Sequence, residues 1–175
     1  VITAGFNASM IIRYLLEKCK TTDEALSLLK SIPIASQQTL TIADRIGNIV
    51  VVECNCEEIE IIRPNKDGNF VVATNDFNSS KMKHYNNYEV DNWKAEERYF
   101  VAYNTLKDSK GNYSFDLVKD ILSGKYGFMC QYDRKTDADT VWSVIYDIGN
   151  NAIYRVEGNP KRRNFKLDTR LKLKS

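Results

Sequence analysis

The stretch "TLTIADRIGNIVVVEC" (residues 39–54) decides the fold that this sequence predicts. It contains two short segments rich in β-branched residues, separated by "RIGN" (45–48), whose Gly and Asn favour a tight turn. This pattern predicts a β-hairpin. A third segment of similar composition, "EIEIIRP" (58–64), extends the hairpin to an antiparallel meander, one face of which is expected to be covered.

Two helices are predicted upstream of the hairpin. Asn7 is placed to cap the first, which runs through "ASMIIRYLLEKCK" (8–20) with apolar residues at helical spacing. Thr21 and Glu24 have the spacing of a capping box at the start of a second helix, which must end before Pro33. A helical hairpin with an apolar face has to pack against another layer, and the meander is the predicted partner.

The downstream half adds two helices and a second hairpin. "DNWKAEERYFVAYNTLKD" (91–108) places apolar residues near one helical face, and "SFDLVKDILSG" (114–124) begins at a capping Ser and ends at a Gly. "TVWSVIYDIGNNAIYRVEG" (140–158) has strand-forming residues on both sides of a turn. Because no linker or repeat divides these segments, the sequence predicts one α+β unit over residues 1–175.

Composition and charge exclude several classes of partner. No apolar run reaches the roughly 18 residues that a membrane helix requires. The net charge of +2 is unevenly distributed along the chain. Residues 161–174 form a basic tail with a charge of +6, and residues 1–160 carry −4. Such a tail is suited to nucleic acid or an anionic surface, but its apolar residues alternate with polar ones as in a half-buried edge strand guarded by lysines: Phe165, Leu167, Leu171 and Leu173. We therefore predict neither a nucleic-acid nor a membrane partner.

The four cysteines lack the spacing of a disulfide framework or a zinc site. Cys54 and Cys56 are two residues apart on a predicted strand, where they point to one face and a disulfide between them is disfavoured. The sole histidine, His84, lies far along the chain in a polar loop, and we interpret it as solvated rather than catalytic. We predict four reduced thiols, Cys19 and Cys130 included, with no metal and, on this ground alone, a cytoplasmic location.

The remaining candidates for chemistry are polar residues in unusual positions. The sequence has no glycine-rich phosphate loop, G-x-S-x-G or H-E-x-x-H. In "FVVATNDF" (70–77), a predicted buried strand over residues 70–73 ends at Asn75 and Asp76, and Arg98 stands among apolar residues of the long helix. The neutral amide N–H of Asn75 is suited to stabilising an oxyanion. The alternative is that Asn-Asp only turns the chain and that Arg98 is a solvated charge.

Six motifs, taken in their order, resemble the linear amide C–N hydrolases. This superfamily comprises the choloylglycine hydrolases, the penicillin V acylases and the acyl-CoA:6-aminopenicillanic acid acyltransferase-like proteins, and the last branch fits best. The motifs cover nearly the whole chain: "RYLLE" (13–17), "TTDEA" (21–25), "ADRIGNIVVVE" (43–53, D-x-x-G-x-x-x-V-x-E), "TNDF" (74–77), "EERYFVAYNTL" (96–106) and "TVWSVIYDIGNNAIYRVEGNP" (140–160).

The resemblance implies a fold and a set of site residues. The family folds as the αββα sandwich of N-terminal nucleophile hydrolases, whose nucleophile is a Cys exposed by processing. The α-amino group of that Cys, with a pKa of about 8, serves as the base. By resemblance, Asn75 stabilises the oxyanion, Arg98 is a further catalytic residue, and Thr74, Asp76 and Phe77 contact a small-molecule amide substrate. Asp76 stands where many relatives have a bulkier residue. No metal or organic cofactor is implied, although acyl transfer would bring in coenzyme A as acyl donor.

The chain departs from the family in its cysteines. Cys19 follows a helix, Cys54 and Cys56 lie in a predicted strand and Cys130 lies in a loop, so none has the position of the nucleophile. We therefore expect residues 1–175 to be the C-terminal half of a longer enzyme, inactive alone, whose missing N-terminal half supplies the nucleophilic Cys and an early Asp. A homo-oligomer is left open. The alternative is a non-catalytic interaction or scaffold domain of the same fold.

Overall fold

The computed structural model describes residues 3–66, 68–132 and 138–170. Contacts between residues divide the chain into two compact units, Val1–Glu96 and Glu97–Ser175. Each unit has a three-stranded antiparallel sheet accompanied by helices, which confirms the α+β class. The organisation of residues 1–175 as one unit stays a prediction. Among the described residues, no helix has the length and apolarity needed to cross a membrane.

The first unit consists of two helices followed by a meander. Its sheet has the order β1-β2-β3, so β2 is the central strand. The elements are α1 (Ala8–Lys18), α2 (Thr22–Leu29), β1 (Gln38–Ala43), β2 (Ile49–Cys54) and β3 (Ile59–Ile62). These bounds confirm the predicted helices and meander.

Side-chain caps fix where both helices begin. The Asn7 carboxamide accepts from the backbone N–H of Met10 at 3.0 Å, and the Thr21 hydroxyl accepts from the N–H of Glu24 at 3.2 Å. The Glu24 carboxylate in turn accepts from the N–H of Lys20 at 2.7 Å. Both predicted caps are confirmed, the second as a close variant of the capping box in which Glu24 reaches one residue beyond the cap.

The central strand β2 is buried on both faces. Val50 and Val52 are fully buried in the core formed with α1 and α2, to which Ile11 and Leu29 contribute fully buried side chains. Because side chains alternate along a strand, Val51 and Glu53 point to the other face, where they are also buried. The same short strand therefore supports the helical layer on one side and another part of the first unit on the other.

Asp44 joins the turn between β1 and β2 to the start of α2. Its Oδ2 accepts from the backbone N–H of Thr22 and from Asn48 Nδ2, both at 3.1 Å. Its Oδ1 accepts from the N–H groups of Ile46 and Asn48 at 3.1 and 3.0 Å. The bond from Thr22, followed by those from Asn48, favours the ionised carboxylate and lowers the pKa of Asp44 to about 2.

This low pKa predicts a specific loss of stability in acid. The folded-state pKa of Asp44 lies below the ordinary value of 3.8, so its contribution is present above about pH 4 and is lost as the pH falls to about 2. We expect Asp44→Asn to lower the urea midpoint at pH 7, and the difference from wild type to shrink between pH 4 and pH 2. Asp23→Asn, with a side chain 80% exposed, is the control. A difference that is constant with pH would contradict the assignment.

Two predictions for the first unit are wrong. Residues 70–73 are half-buried and belong to no strand of the described chain. Their composition suits a strand, but strand formation requires a neighbouring backbone to pair with, and the described sheet ends at β3. Cys56 does not continue β2, because the Asn55 side-chain oxygen accepts from the N–H groups of Glu57 and Glu58, both at 2.8 Å, and turns the chain.

Helix α3 (Ala95–Asp108) crosses the boundary between the units and begins later than predicted. The sequence predicted a helix from residue 91, but Trp93 and Lys94 have positive φ angles of 57° and 55°. This left-handed conformation is incompatible with a right-handed helix and costs energy for residues other than glycine. The helix can therefore start only after them.

The second unit continues from α3 with a further helix and a sheet of order β4-β5-β6. The hydroxyl of Ser114 caps α4 by accepting from the N–H of Leu117 at 3.1 Å, as predicted. The closing hairpin is also confirmed, whereas the predicted half-buried edge strand is only two residues long and Leu167 is 55% exposed. Leu171 and Leu173 lie outside the described residues. The elements are α4 (Phe115–Leu122), β4 (Trp142–Asp147), β5 (Ala152–Glu157) and β6 (Lys166–Leu167).

Candidate functional site

A cleft of about 620 Å³ in the first unit contains four of the five residues that the sequence singled out. Thr74, Asn75, Asp76 and Phe77 all line it. Nine further lining residues come from the start of β1 and from the segment before α3, and sequence reasoning missed them: Gln37, Gln38, Thr39, Asn86, Asn87, Val90, Asp91, Asn92 and Trp93. Five of these nine carry amide side chains, so the wall of the cleft is rich in neutral hydrogen-bonding groups.

Asn86 fixes the backbone at the end of the "TNDF" motif. The N–H of Phe77 donates to Asn86 Oδ1 at 2.9 Å, and Asn86 Nδ2 donates to the carbonyl of Phe77 at 3.0 Å. This side chain thereby satisfies both backbone groups of Phe77, as a neighbouring strand would. The Phe77 residue is only 4% exposed, so it anchors the loop by burial.

Glu53 fixes the two residues that follow the motif. Its side chain leaves β2 on the face opposite the helices and is 1% exposed. Oε1 accepts from the N–H of Asn78 at 2.5 Å, and Oε2 accepts from the N–H of Ser79 at 3.1 Å. A buried carboxylate is tolerated when hydrogen bonds compensate its lost hydration, and here both oxygens have a backbone donor. The sequence signal for this role was a single acidic residue within an otherwise apolar strand.

Asp76 is half-buried and participates in a network of amide side chains. Its Oδ2 accepts from Asn92 Nδ2 at 2.8 Å. Its carbonyl accepts from Asn78 Nδ2 at 2.9 Å, and the same nitrogen lies 3.5 Å from Thr74 Oγ1. Asn75 lies between Thr74 and Asp76; it is exposed and lines the cleft. The arrangement holds the backbone carbonyl of Asp76 and places the Thr74 hydroxyl against Asn78, on the two sides of the residue that resemblance assigns to the oxyanion.

The rim of the cleft is built from a strained backbone segment. Asp91 Oδ1 accepts from the N–H of Trp93 at 2.8 Å, and Trp93 and Lys94 both have left-handed φ angles. Such a conformation costs a non-glycine residue roughly 1–3 kcal/mol and persists only where the surroundings impose it. The Trp93 residue is nevertheless 46% exposed at the rim. The backbone therefore holds an aromatic ring beside the cleft at some energetic cost.

The surroundings of three of the four cysteines raise the pKa of the thiol. Burial raises the pKa of the Cys54 thiol to about 12, and it also raises the pKa of Cys130. Burial, with a smaller contribution from Glu24, raises the pKa of Cys19. Because the thiolate is the reactive form, a raised pKa disfavours nucleophilic attack by each of these groups. All four cysteines are free thiols, as predicted.

His84 and Arg98, the two other residues considered from the sequence, differ in their exposure to solvent. His84 is exposed in a short 3₁₀ turn, with its ring centroid 4.0 Å from that of Tyr85, which agrees with a solvated residue. Arg98 is half-buried on α3 within the second unit, and its role in the site stays a prediction. Within the described ranges, no group of His, Cys, Asp and Glu has an arrangement that would hold a metal ion.

Comparison with known proteins identifies the family. A family model described as acyl-coenzyme A:6-aminopenicillanic acid acyl-transferase matches residues 2–162. The chain belongs to this family. The match confirms the resemblance drawn from the six motifs and the acyltransferase-like branch to which they pointed. No curated protein and no solved structure gives a significant match.

The matched range of this acyltransferase-family chain includes every residue of the cleft and Arg98. It also includes the two carboxylates of the D-x-x-G-x-x-x-V-x-E motif, Asp44 and Glu53, which the structure buries. Family membership supports acyltransferase and hydrolase-like chemistry in general. The narrower likeness to choloylglycine hydrolases and penicillin acylases stays a prediction.

Proposed function

We propose that this chain forms the oxyanion-stabilising and substrate-binding part of an enzyme that cleaves a linear amide or transfers its acyl group. The observation that carries the proposal is the cleft of the first unit, which is lined by Thr74, Asn75, Asp76 and Phe77 together. Asn75 is exposed there, and its neighbours are held by Glu53 and Asn86. A neutral donor on a fixed backbone meets the requirement for stabilising an oxyanion.

The proposed reaction follows the chemistry of cysteine N-terminal nucleophile hydrolases. The α-amino group of an N-terminal Cys takes the thiol proton, and the thiolate attacks the amide carbonyl carbon. Asn75 donates a hydrogen bond to the developing oxyanion. The C–N bond then breaks, and the leaving amine receives the proton held by the α-amino group. Water, or an acceptor amine, attacks the resulting thioester and regenerates the thiol. Arg98 is proposed as a further polar catalytic residue.

The nucleophile in this proposal lies outside residues 1–175. Cys19, Cys54 and Cys130 have raised pKa values, which disfavour the reactive thiolate form. Cys56 lies in the turn after β2, half-buried, and is no candidate for an N-terminal nucleophile. We therefore propose that a preceding segment of the same protein supplies the Cys, together with the early Asp of the family.

The experiment that tests this function compares the 175-residue chain with the same chain preceded by its natural upstream sequence. Intact mass shows whether the longer protein is processed to expose a Cys, and iodoacetamide shows whether that Cys is selectively labelled. We expect processing, labelling and turnover of a linear amide in the longer protein, and no turnover by residues 1–175. Turnover by residues 1–175 alone would refute the division of roles. An unprocessed protein without a reactive Cys would favour the non-catalytic scaffold.

A further inference from the structure

The residues that line the cleft carry negative charge without positive charge. Two of the thirteen, Asp76 and Asp91, are acidic, and none is Lys, Arg or His. We infer that the amide substrate carries a protonated amino group and that Asp76, assisted by Asp91, recognises it. This inference rests on the proposed function, because it assigns a substrate class to the same cleft.

Asp76 has the capacity to bind such a cation. Its Oδ2 accepts from Asn92 Nδ2 at 2.8 Å, and its Oδ1 has no hydrogen bond within the described part of the first unit. No described basic side chain forms an ion pair with it. A half-buried carboxylate that lines a cleft and has one protein hydrogen bond retains acceptor capacity for a ligand, and an ammonium group would supply both a donor and the opposite charge. Asp91 is more exposed and adds to the negative potential at the rim.

Gln38 gives an independent sign that the cleft lacks a donor. This residue lines the cleft, is 8% exposed, and its Oε1 has no hydrogen-bond partner. Its Nε2 faces the carbonyl of Ser36 at 3.5 Å, which can only accept, so the unpaired atom is the oxygen. A buried acceptor without a donor is unfavourable. An N–H group of a bound ligand would supply the donor that Gln38 Oε1 lacks, and an ammonium group would compensate the negative charge of Asp76.

The same charges disfavour a polyanion. Coenzyme A carries several phosphate charges, which proteins bind through Arg, Lys or helix N-termini. The lining residues of this cleft offer two carboxylates instead. We therefore infer that the part of the substrate that binds in the cleft carries an amine. The phosphate-bearing part of coenzyme A does not bind there.

The test uses three linear amides that differ only in their terminal group: N-(6-aminohexyl)acetamide, N-hexylacetamide and 6-acetamidohexanoate. Their binding to the 175-residue chain is measured by titration of ¹⁵N-labelled protein in NMR, so no turnover is required. We expect the ammonium compound to bind roughly 10- to 100-fold more tightly than the carboxylate compound, with the neutral amide between them. The preference should shrink with added salt, because Asp76 is only half-buried.

Matched variants decide whether Asp76 is responsible. Asp76→Asn removes the charge while keeping an acceptor for Asn92, and we expect it to abolish most of the preference; Asp91→Asn should reduce it less. Asp23→Asn makes the same change on α2, outside the cleft, and should leave the preference intact. Equal binding of the three amides, or a preference that survives Asp76→Asn, would overturn the inference alone. Failure of all three amides to bind would overturn the proposed function and this inference with it.

Discussion

Replacing Asn75 by alanine is expected to lower kcat by roughly 100- to 1000-fold in the processed enzyme, because one preorganised oxyanion donor is lost. The contribution of such a donor is largest in the transition state, where the carbonyl oxygen is negative, so KM should change little. Asn75 is an exposed residue of a loop held by its neighbours, so the folding stability should stay within about 0.5 kcal/mol of wild type. Steady-state kinetics on the processed protein measure the first effect, and urea unfolding the second.

The control for Asn75 is a second exposed amide on the same cleft. Asn87 lines the cleft but lies outside the "TNDF" motif, so Asn87→Ala should alter KM by a few-fold at most and leave kcat unchanged. Iodoacetamide labelling of the nucleophile should proceed in both variants, since neither residue activates the thiol. Equal, small effects of the two substitutions would show that Asn75 only turns the chain. Loss of labelling in Asn75→Ala would place the residue elsewhere in the reaction.

Elements whose ends are determined locally were predictable from the sequence. Asn7, Thr21 and Ser114 each accept from an N–H three residues away, and that spacing is visible in the sequence. The β1–β2 turn has the same property, since Gly47 supplies its positive φ angle of 92°. Helix caps and tight turns involve only a few consecutive residues, which explains why these predictions were confirmed.

Elements that depend on distant partners were not predictable. Residues 70–73 have the composition of a strand, but the described sheet offers them no partner. Helix α3 starts only at Ala95 because Trp93 and Lys94 adopt a strained conformation, which no propensity scale anticipates. In the second unit, Leu167 alternates as a buried strand residue would, yet it is 55% exposed. Alternation indicates which residues share a face, and does not show that the face is covered.

The cleft likewise contains residues that are consecutive in the sequence and residues that come from distant segments. Thr74 to Phe77 are consecutive, so one motif was enough to locate them. Gln38 comes from the start of β1, and Asn86 and Asn92 come from the segment before α3, which only the folded chain brings to the same cleft. Amide side chains are common in loops, and nothing in their spacing distinguished these three. The sequence therefore located one wall of the cleft and missed the others.

The residues of the D-x-x-G-x-x-x-V-x-E motif, which served above to recognise the family, also have structural roles in the fold. Its Asp44 connects a turn to a helix, its Gly47 forms that turn, and its Val51 and Glu53 are buried on one face of β2. Each position thus has a structural reason, and none of the four lines the cleft. Glu53 is the position that connects this scaffold to the cleft, because it holds the residues next to "TNDF".

Replacing Glu53 by alanine is therefore expected to lower the free energy of unfolding by about 3 kcal/mol, since two charge-assisted hydrogen bonds are lost and their backbone donors are left unpaired. The N–H groups of Asn78 and Ser79 would lose their acceptors, and a small cavity would remain beside β2. Urea unfolding measures the stability. NMR shifts of the Asn78 and Ser79 amides report whether the loop has moved.

Two variants separate this role from a general loss of charge. Glu60 is the register partner of Glu53 on β3 and is more exposed, so Glu60→Gln should change the stability by no more than about 0.5 kcal/mol. Glu53→Gln keeps one oxygen acceptor but turns an NH₂ group toward the second backbone N–H, so its effect should approach that of alanine. If Glu53→Gln is as stable as wild type, one acceptor suffices. If Glu53→Ala also leaves the Asn78 and Ser79 amides unshifted, the cleft loop is held by Asn86 and its own turns, and Glu53 is only a buried side chain of the sheet.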